Sequence, residues 1–221
     1  MSQSRIVLTN TPLPYKVSVP HVHGAPDDGW PISCFLHGFK QAADCQPIQE
    51  AVEKHSPLNP INPVRILNDF IIIAPQMPVA GDHWHKFSAA VKSIVQTLQL
   101  QENGDKHRTY LTGFSFGANG ALDLVAVQPR FWAAVWPVDP TRAPDTTIDD
   151  IPTWLSVGQL TRRDLADYIK MLNLDPLNDS KSQSRIYLDE GFDHACSAES
   201  AYRDLRIYDW LLSKNLDVID D

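Results

Sequence analysis

Three short stretches hold the residue types that nucleophilic catalysis needs. The first is Gly113-Phe114-Ser115-Phe116-Gly117, a G-x-S-x-G with the apolar Tyr110-Leu111 before it and a helix-like run from Ala118 after it. A turn this sharp between strand and helix holds its central residue in a strained backbone conformation, and the flanking glycines leave room for the crossing chains. Ser115 then presents its hydroxyl at the mouth of a sheet, while the N–H of Phe116, at a helix N-terminus, faces a developing oxyanion. The second is His37-Gly38-Phe39, directly after the apolar run 32–36. A loop in this position supplies the other oxyanion donor, and the N–H of Phe39 is the candidate. His37 is then expected to hold the loop through its ring nitrogens rather than act as base. The third is Gly191-Phe192-Asp193-His194-Ala195, between the apolar run 185–188 and the last helix-like segment. A serine hydroxyl is a poor nucleophile at neutral pH and needs a base, a role His194 can fill from the end of the last strand. Each stretch also has a plainer reading: a buried serine in a small-residue turn, a strand-ending glycine turn, an exposed loop histidine. The strand–turn–helix context and the order of serine before histidine favour the chemistry.

The elements that must position these residues follow from the periodicity. Tyr15, Val17 and Val19 alternate with polar residues, as in a half-exposed strand. Residues 32–36 and 70–74 are continuous apolar runs, bounded by Pro31 and Gly38 and by Pro75, and fit strands buried on two faces. Trp84, Phe87, Val91, Ile94, Val95 and Leu98 share one helix face, with Trp84 its anchor. A helix is expected from Ala118 to Val127, with Gly120 allowing close packing. In the second half, strands are expected over 132–138, 153–157 and 185–188 and a helix over 165–174. A last helix carries Tyr202, Leu205, Tyr208, Leu211 and Leu212 on one side. Alternating strands and helices imply a mainly parallel sheet covered on both faces, with ligands bound beyond the carboxyl ends of the strands. Residues 139–150 read as a loose surface loop inside one domain spanning 1–221.

Composition narrows the classes. The chain has 221 residues, enough apolar material for one sizeable core, and a net charge of −8 without a long basic block. No electrostatic grip on nucleic acid or an anionic membrane is therefore expected. No run approaches the ~18 apolar residues of a membrane span. Behind Met1-Ser2-Gln3-Ser4-Arg5 there is no apolar h-region, so no secretory signal is expected. Three irregularly spaced cysteines argue against a disulfide framework and for a reducing compartment, and the acidic balance with no expected signal makes a cytoplasmic monomer or homodimer the default. Neither G-x-G-x-x-G nor a P-loop is present, so no cofactor is expected. His21-x-His23 and His83-x-His85 lack further ligands at recognised spacing, so no metal is expected either. Trp132, Trp136 and Trp154 read as core, Trp136 also as a wall for an acyl pocket. Cys45 reads as an idle thiol near the site mouth, and Lys40 and Arg142 as solvated charges that could meet a carboxylate.

FLHGF (35–39), HRTYLTGFSFGANGAL (107–122), IPTW (151–154), the Asp193-His194-Ala195 triplet and the YDWLL ending (208–212) together resemble the α/β-hydrolase superfamily. The likeness is to its small esterases: carboxylesterase-, dienelactone hydrolase-, and polyhydroxybutyrate depolymerase- or feruloyl esterase-like enzymes. It implies an α/β-hydrolase fold with a minimal lid or none. It also implies a serine esterase with Ser115 as nucleophile, His194 as base and the Phe39 and Phe116 amides as oxyanion hole, acting on a small-molecule ester. Thioesterase, peptidase and non-catalytic ligand-binding alternatives stay open. The departure is at the acid. The resemblance implies an Asp about three residues after the glycine that ends the 153–157 strand, where this chain has Thr161. Asp164, three residues later, is preferred, and Asp139, one strand earlier, is the alternative.

Overall fold

The computed structural model describes residues 3–8, 10–21, 24–148, 150–162, 164–174 and 184–216. Its strands are β1 (Gln3–Val7), β2 (Tyr15–Val19), β3 (Trp30–Leu36), β4 (Ile71–Pro75), β5 (Gly104–Phe114), β6 (Ala134–Val138), β7 (Trp154–Gly158) and β8 (Arg185–Asp189). They form one sheet in the order β1-β2-β4-β3-β5-β6-β7-β8. β1 and β2 run antiparallel to their neighbours and all later pairs are parallel. The helices are α1 (Ile48–Ala51), α2 (Arg65–Asp69), α3 (Ser88–Gln101), α4 (Phe116–Val127), α5 (Ala166–Met171), α6 (His194–Arg203) and α7 (Leu205–Leu212). Among the described residues no helix is long and apolar enough to cross a membrane.

The continuous apolar strands make sense as a divider between two cores. Side chains alternate across a strand, so a strand buried on both faces must be apolar at every position. In β3 and β4, Ile32, Cys34, Leu36, Ile71 and Ile73 face one core, with Val91, Ile94, Val95 and Leu98 of α3 and Leu122 and Val125 of α4. Phe35, Ile72 and Ala74 face the other, with Ile66 of α2, Tyr202 of α6 and Ile207, Tyr208 and Leu211 of α7. Helices therefore cover both faces, as the alternation of elements implies.

Local chemistry moves several boundaries. Trp84–Phe87 is a 3-10 turn leading into α3. Trp84 is buried there and packs against Gly120, where a Cβ would come within 2.5 Å of the Trp84 side chain. The glycine thus admits the indole rather than the sheet. The expected last helix is two helices, because the Asp204 carboxylate accepts from the Arg206 N–H and caps a new start. β1 has no counterpart in the sequence reading, since its residues are exposed or only half-buried. Trp136 is core alone: its Nε1 donates to Ser156 Oγ at 3.0 Å, and its ring packs on Tyr202 and Tyr208, so it walls no acyl pocket.

Candidate active site

β5 ends at Phe114 and α4 begins at Phe116, leaving a single residue to reverse the chain. That residue, Ser115, has φ +58° and ψ −117°, a conformation side chains rarely adopt. Its N–H donates to the Val138 carbonyl at 2.9 Å, and its carbonyl accepts from Ala118 and Asn119. The glycines of the motif exist because backbones cross at contact distance. A Cβ on Gly113 would lie 2.3 Å from the Gly117 carbonyl oxygen, and one on Gly117 would lie 2.0 Å from that of Leu36. Main chain cannot swing aside as a side chain can. Gly117→Ala is therefore expected to cost about 3 kcal/mol or more, seen as a fall of roughly 6–12 °C in Tm. An unchanged melting curve would contradict this packing.

His194 is the first residue of α6, not a loop residue, and Asp193 caps that helix by accepting from the Cys196 N–H at 2.9 Å. The cap aims the imidazole back across the sheet. Ser115 Oγ lies 2.8 Å from His194 Nε2 and can donate to it. On the other side of the ring, Nδ1 donates to Oδ2 of Asp139. The residue that meets His194 is thus Asp139, and the preference for Asp164 is corrected. Asp164 is exposed, and its carboxylate accepts from the Ala166 N–H at 3.0 Å, ahead of α5. Asp139 directly follows β6, is fully buried and has φ +46°.

The surroundings of Asp139 explain the exchange. Thr161, standing where the resemblance implies an acid, donates its hydroxyl to both carboxylate oxygens, at 2.9 and 3.2 Å. Arg162 Nε sits 3.4 Å from Asp139 Oδ1, and a terminal nitrogen donates to the Asp139 carbonyl at 3.2 Å. Asn119 of α4 accepts from the Thr141 and Arg142 N–H groups and donates to the Thr141 hydroxyl. One terminal nitrogen of Arg142 donates to both carboxylate oxygens of Asp123, at 2.7 and 2.9 Å, which removes it as a free charge for substrate. The start of the 139–150 segment is thus a fixed part of the site and not a loose loop. Asp149 lies outside the described residues. Thr161, Arg162 and Asn119 escaped the sequence reading as site residues. The only signal was Asn119, four residues past Ser115, where one helical turn carries it to the same end of the sheet.

The loop after β3 is wired from inside. His37 is buried, its Nδ1 donating to the Gly38 carbonyl at 2.7 Å and its Nε2 accepting from the Met77 N–H at 2.9 Å. This is the structural role expected from its place before Gly38. Gln41 accepts from the Gly38 N–H at 2.8 Å, and Gln76 donates to the Gln41 and Gln46 carbonyls. These bonds bring Gly38 so near Ser115 that a Cβ on it would lie 3.6 Å from the serine Cβ. Phe39 opens a one-turn 3-10 helix and Phe116 opens α4, so neither N–H has a partner within its own helix. The two rings meet edge to face at 5.8 Å, and Phe39 is half exposed. Cys45 is exposed in the same loop, with its thiol pushed up by desolvation and by Asp44. His83 and His85 stack at 5.3 Å, and His23 lies outside the described residues.

Burial pushes the His37 imidazole down to about 4 from its ordinary 6.5. The unfolded chain therefore binds a proton that the folded chain refuses between those values. The stability His37 contributes is whole above pH 6.5 and is lost as pH falls toward 4, by roughly 3 kcal/mol in total. Unfolding free energies of wild type and His37→Asn, taken from urea titrations, should converge by about that amount between pH 7 and pH 4. Parallel pH profiles would contradict a buried neutral His37.

No known family model matches the chain, and no curated protein matches it. Solved structures do. A thermostable esterase superposes with a TM-score of 0.73 at 21% identity, over 97% of this chain and 63% of its own. The chain thus spans less than two thirds of that enzyme. A protein called FAE gives 0.66 at 14% identity, over 96% and 86% of the two chains. A serine-to-alanine mutant of the feruloyl esterase module from Clostridium thermocellum, complexed with sinapinate, gives 0.63 at 10%, over 91% and 86%. These likenesses show the fold: a mostly parallel eight-stranded sheet flanked by helices, the α/β-hydrolase fold.

Proposed function

We propose that the chain is a serine hydrolase that cleaves carboxylic esters of small molecules through an acyl-enzyme. One observation carries this reading: Asp139, His194 and Ser115 stand in one hydrogen-bonded line that ends on a serine held at φ +58°. His194 Nε2 takes the Ser115 proton as Oγ attacks the ester carbonyl. Negative charge gathers on the carbonyl oxygen, and the Phe39 and Phe116 N–H groups donate to it. Asp139 fixes the tautomer of His194 and stabilises its protonated form. When the tetrahedral intermediate collapses, the alcohol leaves with the proton from His194. Water then enters, gives a proton to His194 and attacks the acyl carbon, and the carboxylic acid departs as Ser115 is re-protonated. Support for an ester, rather than another acyl compound, comes from the esterases that share the fold. The half-exposed Phe39, packed edge to face on Phe116, gives the mouth an apolar edge suited to an uncharged ester. An acid against His194 favours this reading over the non-catalytic ligand-binding alternative.

Turnover of matched phenyl ester, thioester and anilide substrates tests the assignment. The ester is expected to turn over fastest and the anilide slowest, because an amine is the hardest group to expel. An anilide cleaved faster than its ester, or no turnover of any of the three, would overturn it.

A further inference from the structure

A cavity of about 350 Å³ lies at the opposite end of the sheet from Ser115. Trp154, the first residue of β7, and Arg185, the first of β8, open it, Tyr187 continues it along β8, and Trp210 closes it from α7. Ser115, Asp139 and His194 all follow the carboxyl ends of their strands, about 16 Å away for strands of this length. The cavity therefore belongs to neither the acid–base line nor the oxyanion loop.

Residues that line it carry unanswered donors. Trp154 Nε1, Trp210 Nε1 and Arg185 Nε are shut off from water and find no hydrogen-bond partner among the described residues. Both indoles are 7% exposed. Buried polar groups in folded proteins are almost always partnered, and one left without costs roughly 1–3 kcal/mol. All three groups donate and none accepts, so the missing partner is an acceptor. The charges point the same way. Arg185 lies 5.9 Å above the Trp154 ring and Lys214 5.4 Å above that of Trp210, and neither pairs with an acidic side chain among the described residues. Arg206, by contrast, is taken up by Asp204 and the Tyr187 hydroxyl. Lys214 is held below the ordinary lysine range by burial and then by the charge of Arg185, so the two cations feel each other, with no acidic side chain paired to either among the described residues. Between them the two indoles, 5.4 Å apart and inclined at 66°, and the Tyr187 ring offer apolar surface that a bare inorganic anion would leave uncovered.

We infer that this cavity is a second binding site, for a small aromatic carboxylate whose ring lies among Trp154, Tyr187 and Trp210 and whose carboxylate meets Arg185 and the indole N–H groups. The volume suits one substituted ring. The site is independent of the proposed reaction and stands whether or not the chain hydrolyses esters.

The test is a titration of the full chain with benzoate, followed on the indole N–H resonances of its six tryptophans. Saturable shifts are expected at Trp154 and Trp210. Arg185→Gln should weaken benzoate by at least ~10-fold, and benzamide and sulfate should each bind at least ~10-fold more weakly than benzoate. Trp210→Phe, which keeps a ring and deletes the N–H, should weaken it several-fold. Ester turnover in Arg185→Gln should match wild type. Should Arg185→Gln fail to fold, Trp210→Phe and the benzamide comparison decide alone. Absence of saturable shifts at these two indoles up to ~10 mM benzoate, equal binding of sulfate, or unaltered affinity in the folded variants would overturn the inference.

Discussion

Replacing Ser115 with alanine is expected to lower ester turnover by roughly 10⁴- to 10⁶-fold, the largest single loss any substitution in this chain should produce. The oxyanion groups and the base survive, but no atom remains to form the acyl-enzyme, and a residual rate can come only from water activated by His194. The fold should not notice. Strain at φ +58° comes from the Cβ, which alanine keeps, and the backbone bonds of residue 115 to Val138, Ala118 and Asn119 do not involve the hydroxyl. Stability is therefore expected within about 0.5 kcal/mol of wild type. Turnover retained in a folded Ser115→Ala protein would place the nucleophile elsewhere. The glycine variant is a useful contrast: it should be as inactive, yet more stable, because it removes the Cβ that makes the conformation costly.

Second in size is the contrast between two aspartates. Asp139→Asn is expected to reduce kcat by roughly 10³- to 10⁴-fold with little change in KM, whereas Asp164→Asn should stay within about twofold of wild type. An asparagine at 139 can present an N–H to His194 Nδ1. That flips the imidazole to the tautomer whose Nε2 carries a proton and cannot accept from Ser115. It also removes the charge that stabilises the imidazolium. Asp164 has only the Ala166 N–H to lose, at an exposed turn. Equal effects, or a larger loss at 164, would contradict the placement of the acid after β6. Thr161 should matter in the same direction as Asp139 but less. Its hydroxyl is one of several groups holding the carboxylate, beside Arg162 and the ring of His194.

What was legible in the sequence divides along physical lines. The turn at Ser115 could be read because close backbone crossings admit only glycine, so the constraint is written into residue identity at fixed spacing. The central strands could be read because burial on two faces forces apolar residues at every position. His37 could be placed because it follows a strand of that kind and precedes the loop glycine. The acid could not be fixed, because a carboxylate reaches an imidazole from either of two strand ends. The choice depends on loop paths that Thr161, Arg162 and Asn119 set through contacts distant in sequence. The pattern Val138-Asp139-Pro140, an aspartate at the carboxyl end of a fully buried strand, was the available signal. Asp204 likewise marked the break between α6 and α7, since an aspartate before an apolar run is a helix start. β1 carries no such mark: an edge strand with exposed and half-buried residues buries too little to impose a pattern. Nor does the cavity between β7, β8 and α7. Trp154, Arg185 and Trp210 are ordinary alone, and only the fold brings them to one cavity with donors that find no acceptor among the described residues.

The central claim is that Ser115 is an activated nucleophile, and intact mass after brief exposure to a small fluorophosphonate tests it most directly. Wild type is expected to gain a single phosphonyl adduct, Ser115→Ala none, and Asp139→Asn an adduct formed far more slowly. A folded wild-type protein that gains no adduct, or a Ser115→Ala protein that gains one as fast, would contradict the account.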